Sequence, residues 1–409
     1  KALYNKANAY YSMKNLSEGA NYAVEAIKSF TLATDDKQVA YSYILLGIIS
    51  REKNEFDKSE LYFNNALSKY KQNNDTLAMA DVYRNLGALY HRQYNYPNAL
   101  DAFTKAQNLL MAARENKQLS SLLCDMAMIY RDKGDNQQAL QKLTESLYIL
   151  DFDTQKKERA DVLNLIGSLY LKMRDYEQAL EYYFKARDLR KEMNLELDLA
   201  SVYVNIGLVY REKNMPTDAL QYYISALEIR KRVGDEKSVM STLNYIGGYY
   251  LNLKMYNEAL RYYLDQLRLS IDYKDKKEMA NALANIATIN IEQNNFRKAI
   301  DYLEYALKLN LELSDYSRLG ANYVLLGNTY LNMKDYMTAL QCYEEALDYR
   351  RKLGDESQIA STLINIGQAY QNSGKYKKAW ESFSRSIEIR QKIKDYNGMS
   401  VGYNHLGNL

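Results

Sequence analysis

The sequence predicts an all-α protein, a solenoid of antiparallel helix pairs with about ten pairs and the start of an eleventh. Three observations carry that prediction. A small-residue slot returns every 40 residues, at Gly47, Gly87, Ala127, Gly167, Gly207, Gly247, Ala287, Gly327, Gly367 and Gly407, without insertion or deletion. Apolar residues recur around it at helical intervals, as at Tyr203, Ile206, Gly207 and Tyr210 and then at Ala219, Tyr223 and Ala226. Only two prolines, Pro97 and Pro216, fall in 409 residues, so little breaks a helix.

Taken in order, the repeats span about 1–35, 36–75, 76–115, 116–155, 156–195, 196–235, 236–275, 276–315, 316–355 and 356–395, with a partial unit at 396–409. Each contacts mainly its neighbours, so 1–409 reads as one array without separate domains. In the sixth repeat, helix A is expected from Asp198 to Lys213 and helix B from Thr217 to Val233, with Asn214-Met-Pro as the break. Pro216 is tolerated there because a first-turn residue needs no donor. Gly234-Asp235 and Gly354-Asp355 read as turns between repeats, glycine closing one helix and aspartate opening the next. Small residues at the glycine slot and at the two alanine slots of helix B remove bulk where the helices cross. Their reading is structural.

Composition bounds the function. Lys and Arg number 54 against 51 Asp and Glu, a net charge of +3, which argues against a dedicated nucleic-acid surface. The 41 tyrosines supply large apolar bodies with tips that stay wet, suiting long half-exposed helix faces. Cys124 and Cys342 lie too many repeats apart to pair and read as packing residues, which leaves the compartment open. The longest apolar run, around Ile44 to Ile49, is too short to span a bilayer. Lys1 is not an initiator methionine, and Leu406 and Gly407 occupy core slots without a partner helix. The chain is therefore read as cut at both ends, with self-association through those ends expected.

The spacing resembles the tetratricopeptide repeat. Tyr83, Leu86, Gly87, Tyr90, Ala99, Phe103 and Ala106 occupy that family's slots, with Tyr in place of its Trp. Ser50 and Asn290 replace the Tyr after the small-residue slot, Asn136 replaces the aromatic opening helix B, and Gln266 replaces an Ala. The 40-residue unit is longer than the family's usual one. It is similar to repeats in kinesin light chains, in peptide-sensing bacterial regulators and in sensor regions of bacterial transcription regulators and kinases. The resemblance implies a right-handed superhelix with helix A on the concave face. The Lys-, Asn-, Ile- and Tyr-rich composition points to an AT-rich bacterial genome.

In the family, the residue two before the glycine points into the groove. Here that slot holds Asn5, Asn85, Asn205, Asn285 and Asn365, and also Leu45, Asp125, Leu165, Tyr245, Leu325 and His405. Asn costs a helix interior roughly 0.5 kcal/mol against Ala, so its recurrence needs a reason. Its amides suit the backbone of an extended peptide, or they bond their own or a neighbouring helix. A second set lies further along the helix: Arg51, His91, Arg131 and Arg211, interrupted by Leu171 and followed by Leu251, Ile291, Leu331 and Gln371. It reads as a grip on an acidic group, or as cations favoured at helix C-termini. Arg230-Lys-Arg232 and Arg350-Arg-Lys352 read as dipole-complementing, solvated ends.

No phosphate loop, nucleophile elbow or zinc-ligand spacing is present, so neither an enzyme nor a cofactor is expected. The expected function is a peptide- or protein-binding module, the sensor or regulatory region of a bacterial signalling or transcription regulator. The alternative is a passive assembly scaffold.

Overall fold

The helices are set by one turn used repeatedly. A residue in the left-handed region closes every helix except those ending at Ile149 and Gly407, as at Lys14, Asn54, Asn74, Asn194 and Asn294, with φ of 62°, 60°, 54°, 54° and 59°. The N–H of Asn54 bonds back to the Arg51 carbonyl (3.1 Å) and that of Glu55 to Ser50 (2.8 Å), satisfying carbonyls the helix end leaves open. The following residue caps the next helix. Asp35, Asp75, Asp135, Asp175 and Asp235 each accept from the backbone N–H three residues on.

The sequence marks this turn only where glycine stands, at Gly134, Gly234, Gly354 and Gly374. The same left-handed residue occurs at non-glycine positions, where the two back-bonds offset a conformational cost of about 1–2 kcal/mol. The helix starts expected at Asp198 and Thr217 lie at Glu196 and Pro216, because the N-cap residues are Leu195 and Met215, whose side chains give no capping signal.

The computed structural model describes all 409 residues as helices and short turns, in two compact units divided between Lys213 and Asn214. The first contains α1 (Ala2–Ser12), α2 (Leu16–Leu32), α3 (Asp36–Glu52), α4 (Phe56–Gln72), α5 (Thr76–Arg92), α6 (Tyr96–Ala113), α7 (Asn116–Asp132), α8 (Asn136–Ile149), α9 (Lys156–Lys172), α10 (Tyr176–Glu192) and α11 (Glu196–Glu212). The second contains α12 (Pro216–Val233), α13 (Glu236–Asn252), α14 (Tyr256–Asp272), α15 (Lys276–Glu292), α16 (Phe296–Glu312), α17 (Tyr316–Asn332), α18 (Tyr336–Leu353), α19 (Glu356–Asn372), α20 (Tyr376–Lys392) and α21 (Tyr396–Gly407). Odd-numbered helices are helix A and even-numbered ones helix B. Within each unit consecutive helices pack on each other, and A helices of successive repeats also touch, as α5 on α7 and α15 on α17. No comparable contact joins successive B helices, so the A faces form the inner side of each stack.

The small-residue slot is a seat for a ring. A Cβ built at Gly167 would lie 2.8 Å from the Tyr183 ring, and one at Gly327 would lie 2.5 Å from Tyr343. Gly47, Gly87, Gly247 and Gly367 face Phe63, Phe103, Tyr263 and Phe383 in the same way. Where the slot holds Ala127 or Ala287, the residue 16 positions on is Leu143 or Leu303, smaller than a ring. Volume is conserved across the pair, as close packing demands.

In the Tyr182-Tyr183 and Tyr262-Tyr263 pairs the second ring is buried and the first stacks inside its own repeat, on Tyr170 and Tyr250 at 5.5 Å. One sequence reading is corrected. Arg230 and Arg350 are 7% and 9% exposed, not solvated helix ends. Arg350 Nη1 donates to the Gln358 carbonyl (2.8 Å) and to Thr362 Oγ1, joining α18 to α19. Arg190 does the same for α10, donating to the Asp198 carbonyl and to Asp161 Oδ1, both at 2.9 Å.

Candidate functional site

The A-helix face carries polar side chains in two rows. A 40-residue repeat places equivalent residues of neighbouring A helices side by side, and the observed bonds join residues 41 apart. Asn205 Nδ2 donates to Asn164 Oδ1 at 2.9 Å, and Asn285 Nδ2 to Asn244 Oδ1 at 2.6 Å. With the same offset, Arg84 Nε donates to Asp125 Oδ2 at 2.6 Å, while its Nη2 reaches Ser121 Oγ at 2.7 Å. Asn85 Nδ2 instead donates to the Asp81 carbonyl of its own helix at 2.9 Å. Asn365 is half-buried on α19.

These are bonds of the second kind expected from the sequence, amide to own or neighbouring helix. Asn85, Asn205 and Asn285 each use one donor on the scaffold. An amide has two N–H donors and a carbonyl with two acceptor sites, so each retains one N–H and its oxygen. The scaffold bond also orients the amide, which lowers the entropy lost when a ligand binds. Asn164 and Asn244, three before the glycine, were missed because only the slot two before it repeats Asn often enough to stand out.

The second set is arranged as ion pairs. Arg131 Nη2 lies 3.0 Å from Asp132 Oδ1, and the other oxygen of that carboxylate lies 3.0 Å from His91 Nε2 on α5. Arg211 Nη2 lies 2.8 Å from Glu212 Oε1. Arg51 is packed beside Glu52, 3.9 Å away, and Glu52 also lies 3.3 Å from Arg92; burial pushes the Arg51 guanidinium below its ordinary value. The row presents alternating charge rather than free cations. Burial likewise pushes the Cys342 thiol up to about 11 and the Cys124 thiol upward, as expected of free cysteines used for packing. No group of three or more His, Cys, Asp or Glu side chains is placed to hold a metal ion, and no helix is long and apolar enough to cross a membrane.

Helix pairs in tandem, with inner A helices and paired polar side chains on them, define a repeat module of the protein-interaction class. The Tetratricopeptide repeat family matches residues 78–151, 118–192, 158–232, 198–265, 238–312 and 318–392, more than half of the chain. The chain belongs to that family.

Among solved structures, it is similar to a signal transduction ATPase with numerous domains carrying a tetratricopeptide repeat sensor, from Pyrococcus horikoshii. The TM-score is 0.56 and the identity 18%, covering 89% of this chain and 55% of that one. It is also similar to aspartyl phosphate phosphatase F from Bacillus subtilis (TM-score 0.56, 14% identity, 86% of this chain and 94% of that one). A third similar structure is a Rap protein complexed with Competence and Sporulation Factor (TM-score 0.50, 13% identity, 80% and 96%). The chain thus spans about half the length of the first of these. These likenesses share the fold. No protein in the curated set matches in sequence.

Proposed function

We propose that this chain is a non-enzymatic module that binds an extended peptide or partner segment along the A-helix faces, and that it serves as the sensor or regulatory region of a bacterial signalling or transcription regulator. The observation that carries the reading is the pair of oriented amide couples, Asn164–Asn205 and Asn244–Asn285, each with hydrogen-bonding capacity left over. An extended segment offers a carbonyl and an N–H at every residue, which is what such amides complement. Asn85 and Asn365 lie on the same face of other A helices. Arg51, His91, Arg131 and Arg211, with their carboxylate partners, form a flank that pairs with either sign of charge. The Pyrococcus neighbour's repeat sensor and the Rap protein's complex with Competence and Sporulation Factor support the sensing role.

The test is selection from a random peptide library against the full chain, beside Asn205→Ala/Asn285→Ala/Asn365→Ala, with helicity checked by circular dichroism. A motif enriched by the wild type and lost in the folded triple variant supports the reading. The same motif enriched by both would move binding off these amides. No enrichment by either would favour the passive scaffold.

A further inference from the structure

In the second unit a notch of about 280 Å3 opens between α13, α15 and α17, lined by Asn244, Asn281, Asn285, Asn322 and Arg318 with Ala280 and Ala284. Ala284 makes the space. Its slot holds Ile44, Asn164, Asn244, Val324 and Ile364 in other repeats, all larger.

The lining has capacity of a defined kind. Asn322 is 5% exposed and its Nδ2 has no partner. Other repeats place Val82, Leu122, Val162, Thr242 or Thr362 at that slot, and the two threonines are satisfied by the carbonyls of Ser238 and Gln358. Asn322 therefore carries an unmet donor where its equivalents carry none, a cost that a bound acceptor would offset. Asn285 retains one N–H and its oxygen, having given the other N–H to Asn244. Arg318 donates from Nε to Asn281 Oδ1 at 2.6 Å and is ion-paired through Nη1 to Asp315. The one cation in the lining is thus already neutralised, and what remains is a mixture of donors and acceptors without free charge.

That mixture discriminates among side chains. A carboxylate supplies acceptors only and would compete with Asp315 for Arg318. An alkyl group would leave the amides unpaired. A primary carboxamide carries two donors and an acceptor and meets both needs. We propose that this notch is a specificity subsite for the side-chain amide of an Asn or Gln in the bound segment. The inference rests on the peptide-binding reading and names the group that one part of it reads.

The experiment is the same selection with libraries fixed in turn at each position as Asn, Gln, Asp, Glu or Leu, against the full chain and two variants. Ala284→Ile fills the notch with the side chain found at 44 and 364. Asn322→Val removes the donor with the residue found at 82 and 162, and is expected to raise the melting temperature, which reports folding independently. The expected result is one position where Asn or Gln is preferred over Asp and Glu by about tenfold or more, lost in both variants while the rest of the motif survives. An enriched motif without an amide preference, or with one that survives both variants, overturns the subsite and leaves peptide binding standing. No enrichment in any library overturns both.

Discussion

Gly327 shows how much one hydrogen atom decides. A Cβ there would sit 2.5 Å from the Tyr343 ring, which is fully buried and cannot retreat. Gly327→Ala is expected to cost about 1–3 kcal/mol, and adding Tyr343→Leu should recover part of that loss, because Ala127 with Leu143 and Ala287 with Leu303 already occupy the equivalent positions. A double-mutant cycle in urea measures it, and simply additive losses would contradict the volume account. Asn310 makes the opposite case. It is completely buried, both its amide atoms lack partners, and two repeats place Leu110 and Leu150 at the slot where others place the bonded Arg190 and Arg350. Asn310→Leu is expected to stabilise by about 1–2 kcal/mol, read as a rise in melting temperature. An unchanged or lower melting temperature would mean that the amide is satisfied after all.

At the scale of the element, the buried arginines tie helix B to the helix A that follows. Arg350→Met keeps most of the volume but removes the donor from α18 that the Gln358 carbonyl and Thr362 Oγ1 share, leaving the carbonyl only the Thr362 hydroxyl on its own helix. The expected cost is about 1–3 kcal/mol, with faster hydrogen exchange concentrated in α18 and α19 rather than spread through the unit. Uniform acceleration would sink the local-tie reading. The sequence misreads these residues for a physical reason. A basic cluster at a helix C-terminus satisfies the dipole argument whether it is exposed or buried, and only the packing of the next helix distinguishes Arg350 from its exposed neighbour Arg351. The turns were half legible in the same way. Gly234 advertises a left-handed residue, while Asn54 or Lys14 takes the same conformation without an exclusive signal.

For the molecule as a whole, the pattern fixing the repeats was legible because it recurs without a single register slip. The small-residue slot and its ring partner needed only spacing. The polar face was less legible. Asn205 and Asn285 stood out by repetition, but Asn164, Asn244 and Asn322 matter through contacts across a 41-residue offset and through a notch left by Ala284, which no single repeat displays.

The tyrosine-rich core also makes a whole-molecule prediction. Burial pushes Tyr183 and Tyr263 up to about 12 and moves Tyr70 and Tyr343 upward as well. Unfolded tyrosine loses its proton near 10, so above that pH the unfolded state binds fewer protons than the folded one. Stability is therefore fully present below pH 10 and falls as pH rises from about 10 to 12. Ellipticity at 222 nm should be lost over that window in step with ionisation of the last tyrosines at 295 nm. Full ionisation with helicity retained would contradict it.

The central claim is that amides on the A helices read the backbone of an extended segment. The most direct test compares the dissociation constant of the most enriched library peptide with those of versions N-methylated at one backbone amide each. The account expects at least one methylation to weaken binding about tenfold or more, by removing a backbone donor, and the Asn205→Ala/Asn285→Ala variant to be less sensitive to it. Affinity unchanged by every methylation would contradict backbone reading and place recognition in the side chains alone.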